Sequence, residues 1–299
     1  MPHIPIGTWA TDIVTWMQNH LTVVFTIIAY VFNHVDQVFT VIFANSPWIA
    51  ALIFFVLVAL AVRGWGMALA VLIGGLLVQD MGLWATTMDT LALVITSGII
   101  ALAIGIPLGI WAGQSRRART VIRPILDFMQ TMPPFVYLIP AVLFFTLGTV
   151  PAVFATFIFA TPPVIRLTEL GLRQVPEELV EAGEAFGATT GQIMRKIKLP
   201  QAMPSILVGV NQTIMLSLSM VVIAGMIGAG GLGSDVLKGI STLNIGEGFK
   251  GGLAVVFMAI YLDRITERFG EGNVWMSALW KRSRKTQQVQ TINQGGVAS

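Results

Sequence analysis

Residues 176–200 read PEELVEAGEAFGATTGQIMRKIKLP and form a charged island in a chain that is otherwise mostly apolar. Four glutamates occupy the first half and three basic residues the second, which favours two short helices whose charges complement their dipoles. Gly187 can break the chain between these helices, and Thr189 with Gln192 fits a capping box for the second one. Pro200 is expected to end that helix. The segment therefore predicts a compact soluble unit that contacts a partner in water.

The composition of the whole chain indicates an integral membrane protein, since 55% of its 299 residues are hydrophobic and only 11% are charged. The chain has no cysteine, and its three histidines all precede residue 35, which excludes thiolate and HExxH metal sites. It also contains no Gly-Lys dipeptide and hence no P-loop for ATP. No metal, cofactor or catalytic residue is predicted. The basic residues flank apolar segments rather than sharing one face, so nucleic acid is not expected as a partner.

Seven apolar stretches approach the roughly 20 residues that a helix needs to cross a bilayer. We predict an all-α membrane protein with a peripheral pair of spans within 47–84, a core within 85–270 and a polar cytoplasmic tail at 271–299. The predicted spans are 47–62, 65–82, 86–113, 125–148, 150–168, 204–227 and 251–267.

The first 46 residues differ from the rest because they contain no lysine or arginine. Polar residues interrupt them too often for a span, with His34 and Asp36 among the last. Apolar residues at helical spacing favour one or two amphipathic helices lying in the external membrane interface. The absence of a positive start argues against a signal peptide.

Lysine and arginine are unevenly divided between the predicted loops. Arg63, the arginines of 116–123, the segment 166–198 and the basic residues of the tail fall on one side, whereas only Lys238 and Lys250 fall on the other. The first side is therefore predicted to be cytoplasmic, with the N-terminus outside and the C-terminus inside. This places residues 176–200 in the cytoplasm.

Two glycine patterns stand out within the predicted spans. Gly105, Gly109 and Gly113 recur every four residues, as they do where two membrane helices pack closely. Residues 228–233 spell GAGGLG, which matches a dinucleotide-binding motif by letter but lacks the preceding strand. We expect a flexible turn there, opening an external segment at 229–250.

The span predicted at 125–148 is rich in proline, with Pro133, Pro134 and Pro140. Such prolines bend a helix, and a bent helix either lines a transport pathway or is only a structural kink. Asp127 is expected to pair with Arg123, one turn earlier.

The span at 204–227 carries Asn211, Gln212 and Thr213. These residues either join helices by hydrogen bonds or face a wet cavity, and the sequence leaves both open.

The charged island resembles the EAA loop of bacterial ABC importer permeases, a coupling helix that docks into a groove of the ATP-hydrolysing subunit. The family usually has alanine where this chain has Gly183. The residues that carry this resemblance are Glu181, Ala182, Gly183, Gly187, Ile197, Leu199 and Pro200.

Further segments look like the glycine betaine/proline betaine permease of osmoprotectant importers, namely 127–138, 162–168, 209–224 and 262–266. The resemblance implies a type I ABC importer permease in the bacterial cytoplasmic (inner) membrane. It implies two permease copies, two ATPase subunits that use ATP and Mg²⁺, and a separate external substrate-binding protein. The implied substrate is a quaternary ammonium osmolyte, with choline, carnitine or another methylated compound as alternatives.

A quaternary ammonium cation is well held by aromatic faces. Phe128, Phe135 and Tyr137 lie near the proline bend and are candidate pathway residues, together with Asn211 and its two neighbours. A stand-alone secondary transporter is the alternative from another class, but it would show inverted repeats and an intramembrane acid–base relay.

Overall fold

The computed structural model describes residues 6–44 and 46–270, and within these ranges the chain is helical with no strand. The predicted tail 271–299, with its basic residues, lies outside the described residues. The α-helices are α1 (Ile6–His20), α2 (Thr22–Ala44), α3 (Trp48–Arg63), α4 (Trp65–Asp80), α5 (Trp84–Gln114), α6 (Arg116–Thr131), α7 (Pro134–Phe145), α8 (Thr149–Arg173), α9 (Glu177–Ala185), α10 (Thr190–Ile193), α11 (Leu199–Ala224), α12 (Gly231–Ser241) and α13 (Ile245–Gly270).

Five of the described segments are long and apolar enough to cross a membrane, and the bent pair α6–α7 is a sixth if its two helices form one span. The helices predicted at 47–62 and 65–82 exist as α3 and α4, each of 16 residues. At 1.5 Å per residue they are about 24 Å long, somewhat less than the roughly 30 Å hydrocarbon core. Their crossing of the bilayer therefore stays a prediction.

The centre of the fold is α8, which packs against α5 through the predicted glycine stripe. A Cβ on Gly105 would lie 2.5 Å from Val164 Cγ1, and one on Gly109 would lie 2.8 Å from the carbonyl oxygen of Ile165. No side chain fits at these distances, so the prediction of close packing is confirmed and α8 is the partner. Because both residue numbers rise together along the contact, α5 and α8 run in the same direction.

An adjoining side of α8 packs against α11, which runs antiparallel to it. A Cβ on Gly171 would meet Ser205 Cβ at 2.8 Å, and one on Gly209 would meet Val164 Cα at 3.0 Å. Small residues thus let three membrane helices approach one another almost backbone to backbone.

The single helix predicted at 125–148 is wrong, because α6 and α7 are separate helices that meet at an angle of 101°. That this pair crosses the bilayer stays a prediction. Met132 has φ −75° and ψ 133°, the extended conformation that a residue before proline prefers. Pro134 then occupies the start of α7, where its missing N–H costs little. The two adjacent prolines therefore break the helix rather than bend it.

The N-terminal segment is less interrupted than predicted. Residues Thr22–Phe43 have the length and composition of a membrane span, so the interpretation that they are too polar to cross is wrong on that criterion. The helix contacts α7, α5 and α3 in succession: Phe25 stacks on Phe144, Asp36 lies buried facing Thr96, and Phe43 approaches Phe55. It therefore crosses the side of the bundle obliquely. Its predicted place in the membrane interface stays a prediction.

The glycine-rich segment 228–233 forms the predicted turn directly before α12, and its last glycines pack into the bundle. Its flexibility stays a prediction. Gly230 and Gly231 have positive φ values of 77° and 65°, and a Cβ on Gly233 would lie 2.3 Å from the carbonyl oxygen of Val222. Thr90 Oγ1 also accepts a 2.8 Å hydrogen bond from the amide of Leu232. The glycines thus allow α12 to pack tightly against α5 and α11.

Candidate coupling site and transport pathway

Helix α9 ends in a turn that requires glycine. Gly187 has φ +76°, and its amide donates to the Glu184 carbonyl at 2.8 Å. The amide of Ala188 donates to the Gly183 carbonyl at 3.0 Å. This pair of bonds is a Schellman motif, which satisfies the last carbonyls of a helix when the residue after its end is left-handed. The predicted break at Gly187 is confirmed.

The second half of the segment begins with the predicted capping box. Thr189 Oγ1 accepts from the Gln192 amide at 3.4 Å, while Gln192 Oε1 accepts from the Thr189 amide at 2.9 Å. Both bonds satisfy donors that a helix start leaves free. The chain therefore reverses direction over Phe186 to Thr189 with its backbone groups paired.

The prediction that Pro200 ends this helix is wrong. Residues Met194–Lys198 form a π-helical turn, in which the Leu199 amide donates to the Met194 carbonyl five residues earlier. The chain then continues as α11 without a break, and Pro200 lies at the start of that α-helical stretch. A wide turn shifts the hydrogen-bond ladder and accommodates a residue that has no N–H. The soluble segment is thereby joined rigidly to a membrane helix, which begins at Leu199 instead of the predicted 204.

Gly183 lies where α9 packs against the π-helical turn. A Cβ there would approach Ile197 Cδ1 at 2.7 Å and Ile193 Cγ1 at 3.5 Å. The end of the Ile197 side chain would have to move to admit an alanine here, so α9 packs closely on the turn. Leu199 in turn packs on the buried cluster of Leu172, Ala202 and Ile206 at the base.

The predicted coupling residues therefore divide into two groups. Gly183, Ile197 and Leu199 hold the segment together, whereas Glu181, Ala182 and Gly187 are exposed on its surface. Pro200 is also exposed, at the junction with α11.

Phe186 is the functional candidate that sequence analysis missed. It is the C-cap residue of α9, directly before Gly187, and its side chain is 92% exposed. A large apolar side chain so exposed at the tip of a polar turn is typical of a residue that enters a partner's pocket. The available signal was its position between the helix and the breaking glycine.

A cluster of ion pairs joins α6 to α8, near the end of α8 that precedes this segment. Glu169 is 3% exposed, and its Oε1 lies 2.9 Å from Arg123 Nη2 and 3.6 Å from Arg173 Nη1. Asp127 pairs with Arg166, so the expected pair between Asp127 and Arg123 is wrong. A buried carboxylate needs a cationic partner more than an exposed one does, and Arg123 serves the buried Glu169. The cluster borders a cavity of about 320 Å³.

The basic residues at the helix ends lie at the two ends of the bundle as the predicted division of lysine and arginine expects. Arg63 at the end of α3 pairs with Glu267 and donates to the Arg264 carbonyl near the end of α13. These ends lie with the start of α11, since Asn211 bonds Asp263 of α13. Lys238 and Glu247, 3.9 Å apart, lie at the opposite end. Arg63 and the arginines of α6 thus share an end with residues 176–200, and the membrane side of that end stays a prediction.

The candidate aromatic residues of the pathway lie on both sides of the α6–α7 break. Phe128 and Phe135 are exposed. Tyr137 is buried instead, with its hydroxyl donating to the Met129 carbonyl and its ring edge-on to Phe159. In this packing Tyr137 stabilises the break between α6 and α7, and the pathway role of the two phenylalanines stays a prediction.

The candidate polar residues of α11 point in three directions, because neighbours on a helix are 100° apart. Asn211 donates to Asp263 at 3.3 Å and accepts from Thr266, which joins α11 to α13. Thr213 is fully buried, whereas Gln212 is exposed. Ser219, two turns further on, shares the exposed face with Gln212. Among the three, only Gln212 is exposed, and its role in a pathway stays a prediction.

Comparison with protein families matches residues 105–269 to the model described as "Binding-protein-dependent transport system inner membrane component". The matched region contains α8, the segment 176–200 and α11.

Curated relatives match over a longer stretch. The chain is 46% identical to the glycine betaine/proline betaine transport system permease protein ProW of Escherichia coli over 267 residues, which cover 89% of this chain and 75% of that protein. It is 55% identical to the glycine betaine transport system permease protein OpuAB of Bacillus subtilis, over 68% of this chain and 72% of that one. Identity to the glycine betaine/carnitine transport permease protein GbuB of Listeria monocytogenes is 43%, over 91% and 97% respectively.

A solved structure with a related fold is the inward-facing MetNI methionine ABC transporter. It matches with a TM-score of 0.57 and 24% identity, covering 61% of this chain and 92% of the other. At this identity the match shows a shared fold, and the predicted type I importer permease architecture is confirmed.

Proposed function

The chain belongs to the family of binding-protein-dependent transport system inner membrane components, and on that basis we propose that it is the permease subunit of an ATP-driven importer for a quaternary ammonium osmolyte. Glycine betaine and proline betaine are the leading substrates. The observation that carries the coupling role is the segment 176–200, a structured turn that exposes Phe186 between two membrane helices.

The segment 176–200 is connected to a core membrane helix at each of its ends. Its first half follows α8 through a short connection, and its second half continues into α11 through the π-helical turn. Because α8 and α11 pack backbone to backbone, a push on the segment moves core helices rather than a loose loop. We propose that the segment docks in a cleft of a separate ATPase subunit, which binds ATP and Mg²⁺ and supplies the energy.

One chain forms half of the transport unit in this proposal. The exposed face of α11 with Gln212 and Ser219, and the exposed aromatic residues beside the α6–α7 break, line a pathway with a second permease copy. Two ATPase subunits dock from the cytoplasm, and a separate external binding protein delivers the substrate. The N-terminus lies outside and the C-terminus inside, as the division of lysine and arginine favours.

The substrate class rests on the relatives. ProW, OpuAB and GbuB are all named as permeases for glycine betaine, one with proline betaine and another with carnitine. A further relative, TmoV of Ruegeria pomeroyi, 42% identical over 74% of this chain, is named for trimethylamine N-oxide. A methylated nitrogen is common to these compounds, and exposed Phe128 and Phe135 offer aromatic faces that hold such a group. Choline, carnitine and other methylated compounds are the alternative substrates.

In the proposed mechanism the chain has two packings, and ATP shifts the balance between them. Closure of the two ATPase subunits brings the coupling segments together and opens the pathway outward to the loaded binding protein. Hydrolysis restores the inward-facing arrangement. A stand-alone secondary transporter fits less well, since the matched family is one of binding-protein-dependent systems.

The test is uptake of radiolabelled glycine betaine into proteoliposomes that contain the full chain, its ATPase and its binding protein. We expect uptake that requires ATP and both partners, and that excess unlabelled proline betaine suppresses. If carnitine or choline competes and proline betaine does not, the substrate assignment changes to the alternative. Uptake by the chain alone, driven by a gradient, would instead support the secondary transporter.

A further inference from the structure

An apolar cavity of about 180 Å³ lies between the α3–α4 pair and the core helices α5 and α13. Phe55 of α3, Val71 of α4, Met88 of α5 and Met258 of α13 are among its lining residues, and its wall is almost wholly carbon. An apolar cavity of roughly 150 Å³ in another protein stays dry and admits benzene. This cavity therefore has room for a hydrocarbon segment and offers little to water.

The cavity opens sideways. Two of its lining residues, Ala70 on α4 and Ile260 on α13, are themselves exposed. Helix α13 has the length and composition of a membrane span, and α4 is predicted to cross beside it. On that prediction the mouth between the two helices faces the lipid bilayer. The hydrocarbon that surrounds the protein is thus the nearest apolar material available to fill the cavity.

One polar group in the wall lacks a partner. The indole Nε1 of Trp84 is buried and makes no hydrogen bond to any part of the chain that the structure describes. Trp84 is the first residue of α5, at the end of the bundle remote from residues 176–200. Buried indole N–H groups usually find an acceptor, and tryptophan is enriched at the membrane–water boundary. The ester carbonyls of lipids lie at that boundary.

We propose that this cavity binds one acyl chain of a membrane phospholipid, whose ester carbonyl accepts a hydrogen bond from Trp84 Nε1. The lipid fills the space between the peripheral pair α3–α4 and the core, and so takes part in attaching that pair. The α3–α4 pair lies before residues 105–269, which match the family model. The lipid site joins this pair to α13, whose lining residue Met258 lies inside the matched region, and it contains none of the candidate pathway residues.

The experiment uses the full chain in proteoliposomes that contain a phosphatidylethanolamine with a photoreactive diazirine in one acyl chain. After illumination, cross-linked peptides are mapped by mass spectrometry. Met88 and Met258 decide the outcome, because they are 4% and 6% exposed and lipids on the outer surface do not reach them. We expect cross-links at both residues in the unmodified chain.

Two variants and a control complete the test. Ala70→Phe closes the mouth and should lower cross-linking at Met88 and Met258 at least tenfold, whereas Ala61→Phe, on an exposed face of α3 outside the cavity, should leave it unchanged. Trp84→Phe keeps an aromatic ring but removes the N–H donor, and should lower cross-linking at both methionines several-fold. Absence of cross-links at the two methionines, or equal labelling in Ala70→Phe, would overturn the proposal.

Discussion

Replacing Phe186 with alanine should weaken docking of the ATPase without destabilising the permease. The side chain is 92% exposed, so the chain itself loses almost no buried surface and its stability should change by less than about 0.5 kcal/mol. Full burial of a phenylalanine in a partner's pocket contributes about 1.5–3 kcal/mol. A loss of about 2 kcal/mol corresponds to roughly 30-fold weaker binding at each coupling segment.

The assay is titration of the permease in lipid nanodiscs with fluorescently labelled ATPase, followed by ATP-driven uptake with the same variants. Ile245→Ala is the matched control, because Ile245 is 87% exposed at the opposite end of the bundle. Phe186→Ala should show the weaker ATPase binding and reduced uptake, whereas Ile245→Ala should bind the ATPase with unchanged affinity. Unchanged ATPase affinity in Phe186→Ala, with the protein folded, would refute the anchor role of this residue.

Three further substitutions test the geometry of the coupling segment and the core. At Gly187 a Cβ would meet no atom within 4 Å, so Gly187→Ala is opposed only by the φ of +76°, which costs the folded turn about 1 kcal/mol. Amide hydrogen exchange over 183–188 should therefore quicken about fivefold in this variant. In Gly187→Asn the same amides should exchange more slowly than in the alanine variant. Glu169→Gln leaves two arginines without a buried counter-charge and should lower the free energy of unfolding by about 1–2 kcal/mol in a thermal melt. Asp127→Asn, in an exposed pair, should lower it by less than about 0.5 kcal/mol. Equal effects would contradict the assignment of Glu169 as the buried partner of the arginines. Gly109→Ala places a Cβ 2.6 Å from Thr168 and should cost about 2 kcal/mol or more by thermal unfolding in detergent, while Gly98→Ala, with 3.9 Å to its nearest neighbour, should be tolerated; similar melting temperatures would contradict the packing of α5 on α8.

Local backbone chemistry could be predicted from the sequence, because its causes lie within a few residues of one another. The Schellman turn at Gly187 and the capping box of Thr189 and Gln192 are of this kind. The glycine stripe on α5 was also readable, since its spacing implies a close helix partner, although only the structure shows that the partner is α8.

Interactions between distant segments were harder to predict. Asp127 and Arg123 have the spacing of a helical ion pair, yet each finds its partner on α8, because the buried Glu169 attracts Arg123. Pro200 was predicted to end the helix because proline usually breaks a helix when it lies in the interior. The preceding π-helical turn instead places Pro200 at the start of an α-helical stretch, where its missing N–H costs little.

Phe186 was overlooked for a different reason. In a chain with 17 phenylalanines and 55% hydrophobic residues, an aromatic side chain reads as part of the apolar interior or the lipid-facing surface. Only the folded turn shows that this one projects into solvent from a polar segment. Exposure at a turn depends on the three-dimensional course of the backbone, which composition does not report.

The most direct test of the coupling role uses the absence of cysteine from the chain. Ala185→Cys introduces a single thiol at an exposed position next to Phe186 and leaves that side chain in place. A membrane-impermeant maleimide can label this thiol in right-side-out or inside-out vesicles. The thiol should be labelled only in inside-out vesicles, and addition of the ATPase subunit should protect it. Labelling from the outside, or labelling that the ATPase does not diminish, would contradict the proposal that this segment is the cytoplasmic dock for the ATPase.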